Sequence, residues 1–416
     1  MNKIKMSLVA ALAAAAATTG ANAGALDNIL SNPKLDIELR PRYEAVDDSV
    51  KKEASALTVR TAIGVQAGLL GVDGLNTQLQ AMSVDHFGLV NDYNGVTSGD
   101  ATYATIADPA QTRMTQANIS YSANGFTGIV GRKMVVLDNA RFIGNVGWRQ
   151  MPQTYDLAAG IYNGIENLSL LAAYVTRVNR VVESTVDTGS VLLHASYKVM
   201  PELTVTAYDY MIQNYADHIG VRATGKVNLE GVGLKYEAEY AVQNDPTMDD
   251  ANDPILANAT NTSITQDASY YKLALDASMN GFTVGAGYEV LSDKGNGADP
   301  FFTPLATLHA MNGWADVFLG GTPDEGLVDM TLKLGYNAGE YGKIVGIYHN
   351  FTSDVNNAAG QDDLGSEVDV AYNVKVAKGL GLLLKGAWYT AGDASFGKND
   401  VTKYWVQLDY KFHAEL

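Results

Sequence analysis

The feature that most restricts what this chain can become is strict alternation of apolar and polar residues, held for roughly nine to thirteen residues at a time, where a strand of a soluble domain usually has about five or six. In LDIELRPRYEA, residues Leu35, Ile37, Leu39, Tyr43 and Ala45 share one face, while Asp36, Glu38, Arg40, Arg42 and Glu44 share the other. GVGLKYEAEYAVQ sets Val232, Leu234, Tyr236, Ala238, Tyr240 and Val242 against Lys235, Glu237, Glu239 and Gln243. Near the C-terminus Tyr404, Val406, Leu408, Tyr410 and Phe412 oppose Lys403, Gln407, Asp409 and Lys411. A tilted strand that crosses a bilayer needs about nine to eleven residues, and about 18 segments of this kind run from 35–45 to 402–413.

The connections sort by parity. Even-numbered gaps are short: LGVDG, SANG, NGIEN, VMPEL, NLEG, MNG, NAGEYGK and VAKGLG. Odd-numbered gaps are mostly long: 46–56, 85–113, 135–153, 178–189, 244–268, 292–326, 353–365 and 391–401, with NYADH near 214–218 the short one. A β-sandwich also alternates, but it has no reason to place tight turns on one rim and long loops on the other. The expected fold is therefore all-β: a transmembrane antiparallel up-and-down β-barrel of about 18 strands, with short periplasmic turns and long extracellular loops. Its apolar face meets lipid, with Tyr43, Tyr121, Tyr197, Tyr236, Tyr240, Tyr404 and Tyr410 as interfacial residues. Its polar face encloses water.

The N-terminus fits that destination. Lys3 and Lys5 precede an apolar run from Met6 to Ala17, and Ala21-Asn22-Ala23 places small residues two apart, so residues 1–23 read as a signal peptide and 24–416 as the barrel. No later apolar run is long enough for a membrane-spanning helix. The chain has no cysteine, which excludes disulfides and thiolate metal sites, and its net charge of -17 argues against nucleic acid, whose phosphates need Lys and Arg. The implied partners are outer-membrane lipid, lipopolysaccharide and small solutes or ions, with a homo-oligomer left open.

Two long gaps do not alternate. One holds GRKMVVLDNARFIGNVGWRQMPQTYD and the other FFTPLATLHAMNGWADVFLGGTPDEGL. Both mix Trp, Phe and Leu with charge, a composition suited to loops packed on themselves and on the wall rather than to disorder. PLATLHAMNGWADVFL has room for a short helix. Loops of this kind that fold inward narrow the pore. Together these stretches resemble motifs of the alginate-export family of bacterial outer-membrane porins. That resemblance implies an 18-stranded barrel with an electropositive constriction. It points to Arg132, Asp138, Asn139, Arg141, Arg149, Gln150 and Asp156 in the first stretch, and to His309, Asn312, Trp314 and Asp316 in the second.

The expected pore-lining or constriction residues are Arg40, Arg42, Arg60, Arg132, Lys133, Asp138, Arg141, Arg149, Arg177 and Arg222. The expected loop-packing residues are Asn139, Trp148, Gln150, Asp156, His309, Asn312, Trp314 and Asp316. The arginines face two fates. They line the pore and set selectivity, or they pair with nearby carboxylates and stiffen the wall; for Arg141 and Arg149 the nearest such anchors in sequence are Asp138 and Asp156. The acidic run at Asp245, Asp249, Asp250 and Asp253 offers oxygen ligands for Ca²⁺ without the regular EF-hand spacing, so a solvated loop is the plainer reading and no cofactor is otherwise implied. The six His residues are scattered, with no HExxH, and no G-x-S-x-G elbow marks a nucleophile, so nothing points to an enzyme. The expected function is an outer-membrane porin passing ions and small polar or anionic solutes. A dedicated exporter of an anionic polysaccharide such as alginate and a structural or adhesive surface barrel remain as alternatives.

Overall fold

The computed structural model describes residues 29–248 and 265–415. Residues 1–23, read from sequence as a signal peptide, and the acidic residues Asp249, Asp250 and Asp253 lie outside them. The wall strands are β1 (Leu30–Asp47), β2 (Ala54–Leu69), β3 (Leu75–Asp85), β4 (Asn91–Asp92), β5 (Gln111–Ala123), β6 (Phe126–Lys133), β7 (Thr154–Ile165), β8 (Leu168–Asn179), β9 (Thr185–Met200) and β10 (Leu203–Ile212). They continue with β11 (Ala216–Leu229), β12 (Val232–Asn244), β13 (Ala268–Met279), β14 (Phe282–Leu291), β15 (Leu327–Asn337), β16 (Lys343–Thr352), β17 (Asp363–Ala377), β18 (Leu380–Thr390) and β19 (Val401–Glu415). The two-residue β4 only caps the end of β2. The other eighteen pair antiparallel with their neighbours, and β1 pairs with both β2 and β19, so the sheet closes on itself.

Closure satisfies every strand edge within the sheet, which is what hydrocarbon requires of a spanning β structure. The burial pattern is inverted relative to a soluble domain. Val130 is 65% exposed, Leu332 62% and Leu334 65%, while inward Glu44, Asp329 and Glu367 are 1–3% exposed. The tyrosines named from sequence as outward are exposed, apart from Tyr236, which is half-buried and donates its hydroxyl hydrogen to the Glu202 carbonyl. Among the described residues no helix is long and apolar enough to cross a membrane.

The short-turn rim is built from tight hairpins. In Asn124-Gly125, Glu230-Gly231 and Asn280-Gly281 both residues have positive φ, the geometry that matches the right-handed twist of the flanking strands. The long-loop rim differs from expectation in one place. The segment 178–189 is mostly strand, because β8 runs to Asn179 and β9 starts at Thr185, leaving a short connection. A bulge at Thr176, skipped between the Asp156–Arg177 and Leu157–Val175 pairs, shifts the alternation just before this segment and conceals the strand in the sequence.

A cation placed on the lipid face near mid-strand has no partner and no water. Leu332→Arg is expected to cost roughly 2–4 kcal/mol, read from urea unfolding in lipid vesicles, while the same change at rim residue Val50 leaves the midpoint in place.

A constriction built from two inward loops

Loop A (134–153, between β6 and β7) and loop B (292–326, between β14 and β15) fold into the barrel. Neither alternates, so neither can join the wall, and both carry apolar side chains that need cover. They find it in each other and in an apolar stretch of the inner wall. Phe142 and Ile143 of loop A and Phe301 and Leu305 of loop B join one cluster with the inward residues Ile129, Leu157, Val175 and Leu192. The Phe142 ring sits 4.9 Å from that of Tyr208, 5.5 Å from Tyr270 and 6.0 Å from Phe301. Burying one such side chain contributes about 1.5–3 kcal/mol. The helix expected in loop B is one 3-10 turn, Leu308–Ala310.

The loops also bond directly. Gly144 N–H donates to the Leu305 carbonyl at 2.8 Å, and Thr307 N–H to the Ala140 carbonyl at 2.9 Å. Val146, held at φ 47°, donates its N–H to Thr307 Oγ1 at 3.0 Å. A β-branched residue rarely adopts that φ, so the bond to loop B maintains it. At Gly144 an added Cβ would meet Thr307 Oγ1 at 2.2 Å, so only glycine allows the loops to approach this closely.

Carboxylates on the wall dock the loops. In loop B, Asn312 Nδ2 donates to Glu289 Oε2 at 2.7 Å and to Asp329 Oδ2 at 3.2 Å. Trp314 N–H donates to Asp369 Oδ2 at 3.1 Å and Ala315 N–H to Glu367 Oε1 at 2.7 Å. In loop A, Asn139 Nδ2 donates to Glu237 Oε1 at 2.8 Å, and Asp138 faces His194 at 3.1 Å and Arg222 at 3.5 Å. Gln150 ties loop A to β1 and β2 through the Arg40 carbonyl and Thr58. The loop between β3 and β5 contributes Asp108, whose Oδ1 accepts from Gln150 N–H at 2.7 Å.

The arginines are mostly paired. Arg40 binds Asp409 at 2.6 Å, Arg60 binds Glu38, and Arg222 lies near Glu237, Glu239 and Asp138. Arg42 is fully buried, 3.5 Å from Asp108, with its guanidinium 4.1 Å above the Trp148 ring. The anchors of the loop arginines are not Asp138 and Asp156, as proximity in sequence suggests. Arg141 faces Glu289 at 3.4 Å, and Arg149 reaches Glu44 at 3.1 Å, Asp108 at 3.7 Å and Asp316 at 3.1 Å. Buried under the loops, Arg42, Arg141 and Arg149 hold the constriction together rather than coat its bore.

Arg132, Arg177 and Asp156 are not in the lumen. Arg132 stands two residues from the exposed Val130 and shares its outward face, where it makes a bidentate pair with Asp156 at 2.6 and 2.8 Å. The bulge at Val175/Arg177 turns Arg177 to the same outer face, beside Asp187 at 2.5 Å. Lys133, next in sequence to Arg132, does point inward. It reaches only Gln78 Oε1, at 3.4 Å, and forms no ion pair among the described residues. Asp245 accepts from Gln266 N–H and so braces its own loop; among the described residues no group of acids or histidines is arranged to hold a metal ion.

At the centre, Asp316 joins everything. Its Oδ2 accepts from Arg149 at 3.1 Å and from Lys403 at 2.8 Å, and its Oδ1 faces His309 Nδ1 at 2.6 Å. Burial alone would raise this carboxyl, but His309, Lys403 and Arg149 hold it well below the usual carboxylate range. A depressed carboxyl contributes stability above its unfolded value and loses it as pH falls through the folded one. The stability that Asp316 contributes should therefore be intact from neutrality down to about pH 4 and decline below it, read as the difference in urea unfolding between the wild type and Asp316→Asn across pH. Asp316→Asn, which strands Lys403 and leaves Arg149 with Glu44 and Asp108 alone, is expected to cost about 3 kcal/mol in urea unfolding.

Sequence comparison finds no matching family model and no matching curated protein. The fold does have counterparts. The crystal structure of OccK8 (OprE) from Pseudomonas aeruginosa matches at a TM-score of 0.71 and 14% identity, over 92% of this chain and 98% of that one. The outer membrane protein opdK from Pseudomonas aeruginosa matches at 0.71 and 14%, over 93% and 100%. Acinetobacter baumannii OccAB4 matches at 0.69 and 14%, over 93% and 100%. The likeness spans nearly the whole of each chain and, at these identities, is one of fold: the closed barrel described above.

Proposed function

We propose that this chain is a bacterial outer-membrane porin, a water-filled channel for passive diffusion of ions and small polar or anionic solutes. The observation that carries the reading is the pairing of an apolar exterior with a charged interior into which two loops fold. An eighteen-stranded wall encloses more space than its own side chains fill, and a lumen of mixed charge must hold water. The fold match to a protein described as an outer membrane protein supports the location, with the short turns periplasmic and the loops outside.

Within that reading Lys133 is the selectivity residue. The basic groups discussed above are largely balanced by carboxylates, so the inward Lys133 ammonium, which makes no ion pair among the described residues, favours anions in its immediate surroundings. The narrower reading, export of a polyuronate such as alginate, rests on the motif resemblance. It calls for a predominantly basic throat, and the pairing of Arg40, Arg42, Arg60, Arg141, Arg149 and Arg222 favours the small-solute channel instead.

Planar-bilayer recording tests this. Steady conductance is expected, with a reversal potential under a salt gradient that moves toward cation preference in Lys133→Glu. Absence of any conductance would leave a structural or adhesive barrel, and blockade by uronate oligomers would point to the exporter.

A further inference from the structure

Lys385, on the inner face of β18, has an unusual enclosure. Its Nζ lies 4.1 Å from the ring centroid of Trp148 in loop A, 3.7 Å from that of Trp314 in loop B and 5.2 Å from that of Trp405 on β19. The same ammonium donates to His309 Nε2 at 2.7 Å. An ammonium has no lone pair, so His309 Nε2 accepts, and its proton sits on Nδ1, which donates to Asp316 Oδ1. The neutral His309 ring stacks on Trp148, 4.4 Å apart and 5° from parallel. Among the described residues Lys385 makes no ion pair; the indole faces and one imidazole nitrogen compensate its buried charge.

The composition of this cage matters. Two of the indoles and the imidazole come from the loops, and the lysine and the third indole come from adjacent wall strands. The wall carboxylates dock each loop separately, Glu237 for loop A and Glu367 and Asp369 for loop B. Phe142 joins loop A to the wall at Tyr208 and Tyr210 of β10 and Tyr270 of β13, where Phe301 of loop B also meets it. The Lys385 cage is where both loops meet the wall on the β18–β19 side, so the seam between them is pinned at both ends.

We propose that Lys385 is a latch that sets the bore: a single wall cation which, by attracting Trp148 and Trp314 together, holds loops A and B in the narrowed state. It is a positioning residue and touches no solute. The inference rests on the channel reading above. Without the ammonium, the seam on the β18–β19 side is held by the Lys403–Asp316–Arg149 pairs alone and the channel visits wider states more often.

Lys385→Met keeps the length and apolar character of the side chain and removes the charge and the donor. Single-channel records of the folded full chain should then show higher-conductance sublevels visited roughly tenfold more often, the shift expected from losing a desolvated cation–π contact. Three of the chain's four tryptophans form the cage, so the emission maximum should also shift to the red as they meet water. Lys385→Arg, which retains a cation over the rings, should restore the wild-type sublevel pattern, an outcome that a merely space-filling role would not produce. Trp314→Leu, a loop change that leaves the wall intact, should reproduce the Lys385→Met sublevels and serves if the latter fails to assemble. Wild-type sublevels in the assembled variants, with no spectral shift, would overturn the latch. A wild-type chain that assembles but passes no current would overturn the channel reading, and the emission shift would then still report on the cage by itself.

Discussion

Carboxylates that project into the lumen are what the interior depends on. The wall needs none of them, since its backbone is satisfied strand to strand and its exterior by lipid. A cylinder of this width has an interior too large for its own side chains, so something must be brought in and fixed there. Glu237, Glu289, Asp329, Glu367 and Asp369 receive the side-chain amides and backbone N–H groups of the two loops, while Glu44, Asp108 and Asp316 receive Arg149. Each loop donor buried without such an acceptor would cost about 1–3 kcal/mol. The charged lining is thus as much a docking surface as a conduit.

This alters what the luminal arginines mean. The motif resemblance implies an electropositive constriction, while the residues themselves leave lining and pairing both open. In three dimensions nearly every one meets an acid, and the cations that escape pairing are fewer and stand elsewhere. Lys133 reaches only an amide, and Lys385 is compensated by aromatic faces. A guanidinium suits the paired role, because its planar fork engages a carboxylate with two parallel bonds, whereas an ammonium is a compact charge able to sit against several rings at once.

The wall was legible in the sequence because its period is two and its faces differ in kind, and the two inward loops because they break that period. Arg132 was legible as well: two residues beyond Val130, it had to share the lipid-side face, and only the motif drew it toward the lumen. Arg177 was not, since the bulge beside it reverses the count. The loops' anchors were hidden for a different reason. Glu289, Asp329, Glu367 and Asp369 each look like an ordinary inward residue of a separate strand, and only the register of β14 to β17 sets them side by side. Lys385 sits alone in an apolar stretch, and the three indoles around it are drawn from positions 148, 314 and 405.

The seam between β1 and β19 has a consequence for the life of the molecule. The first strand finds its second partner in the last, and Arg40 meets Asp409 across 369 residues of chain. No partial product can close, and every unfinished cylinder exposes an unpaired edge at each end. The polypeptide must therefore reach its bilayer whole and still open, kept apart from others of its kind until the C-terminal strand arrives to complete the ring.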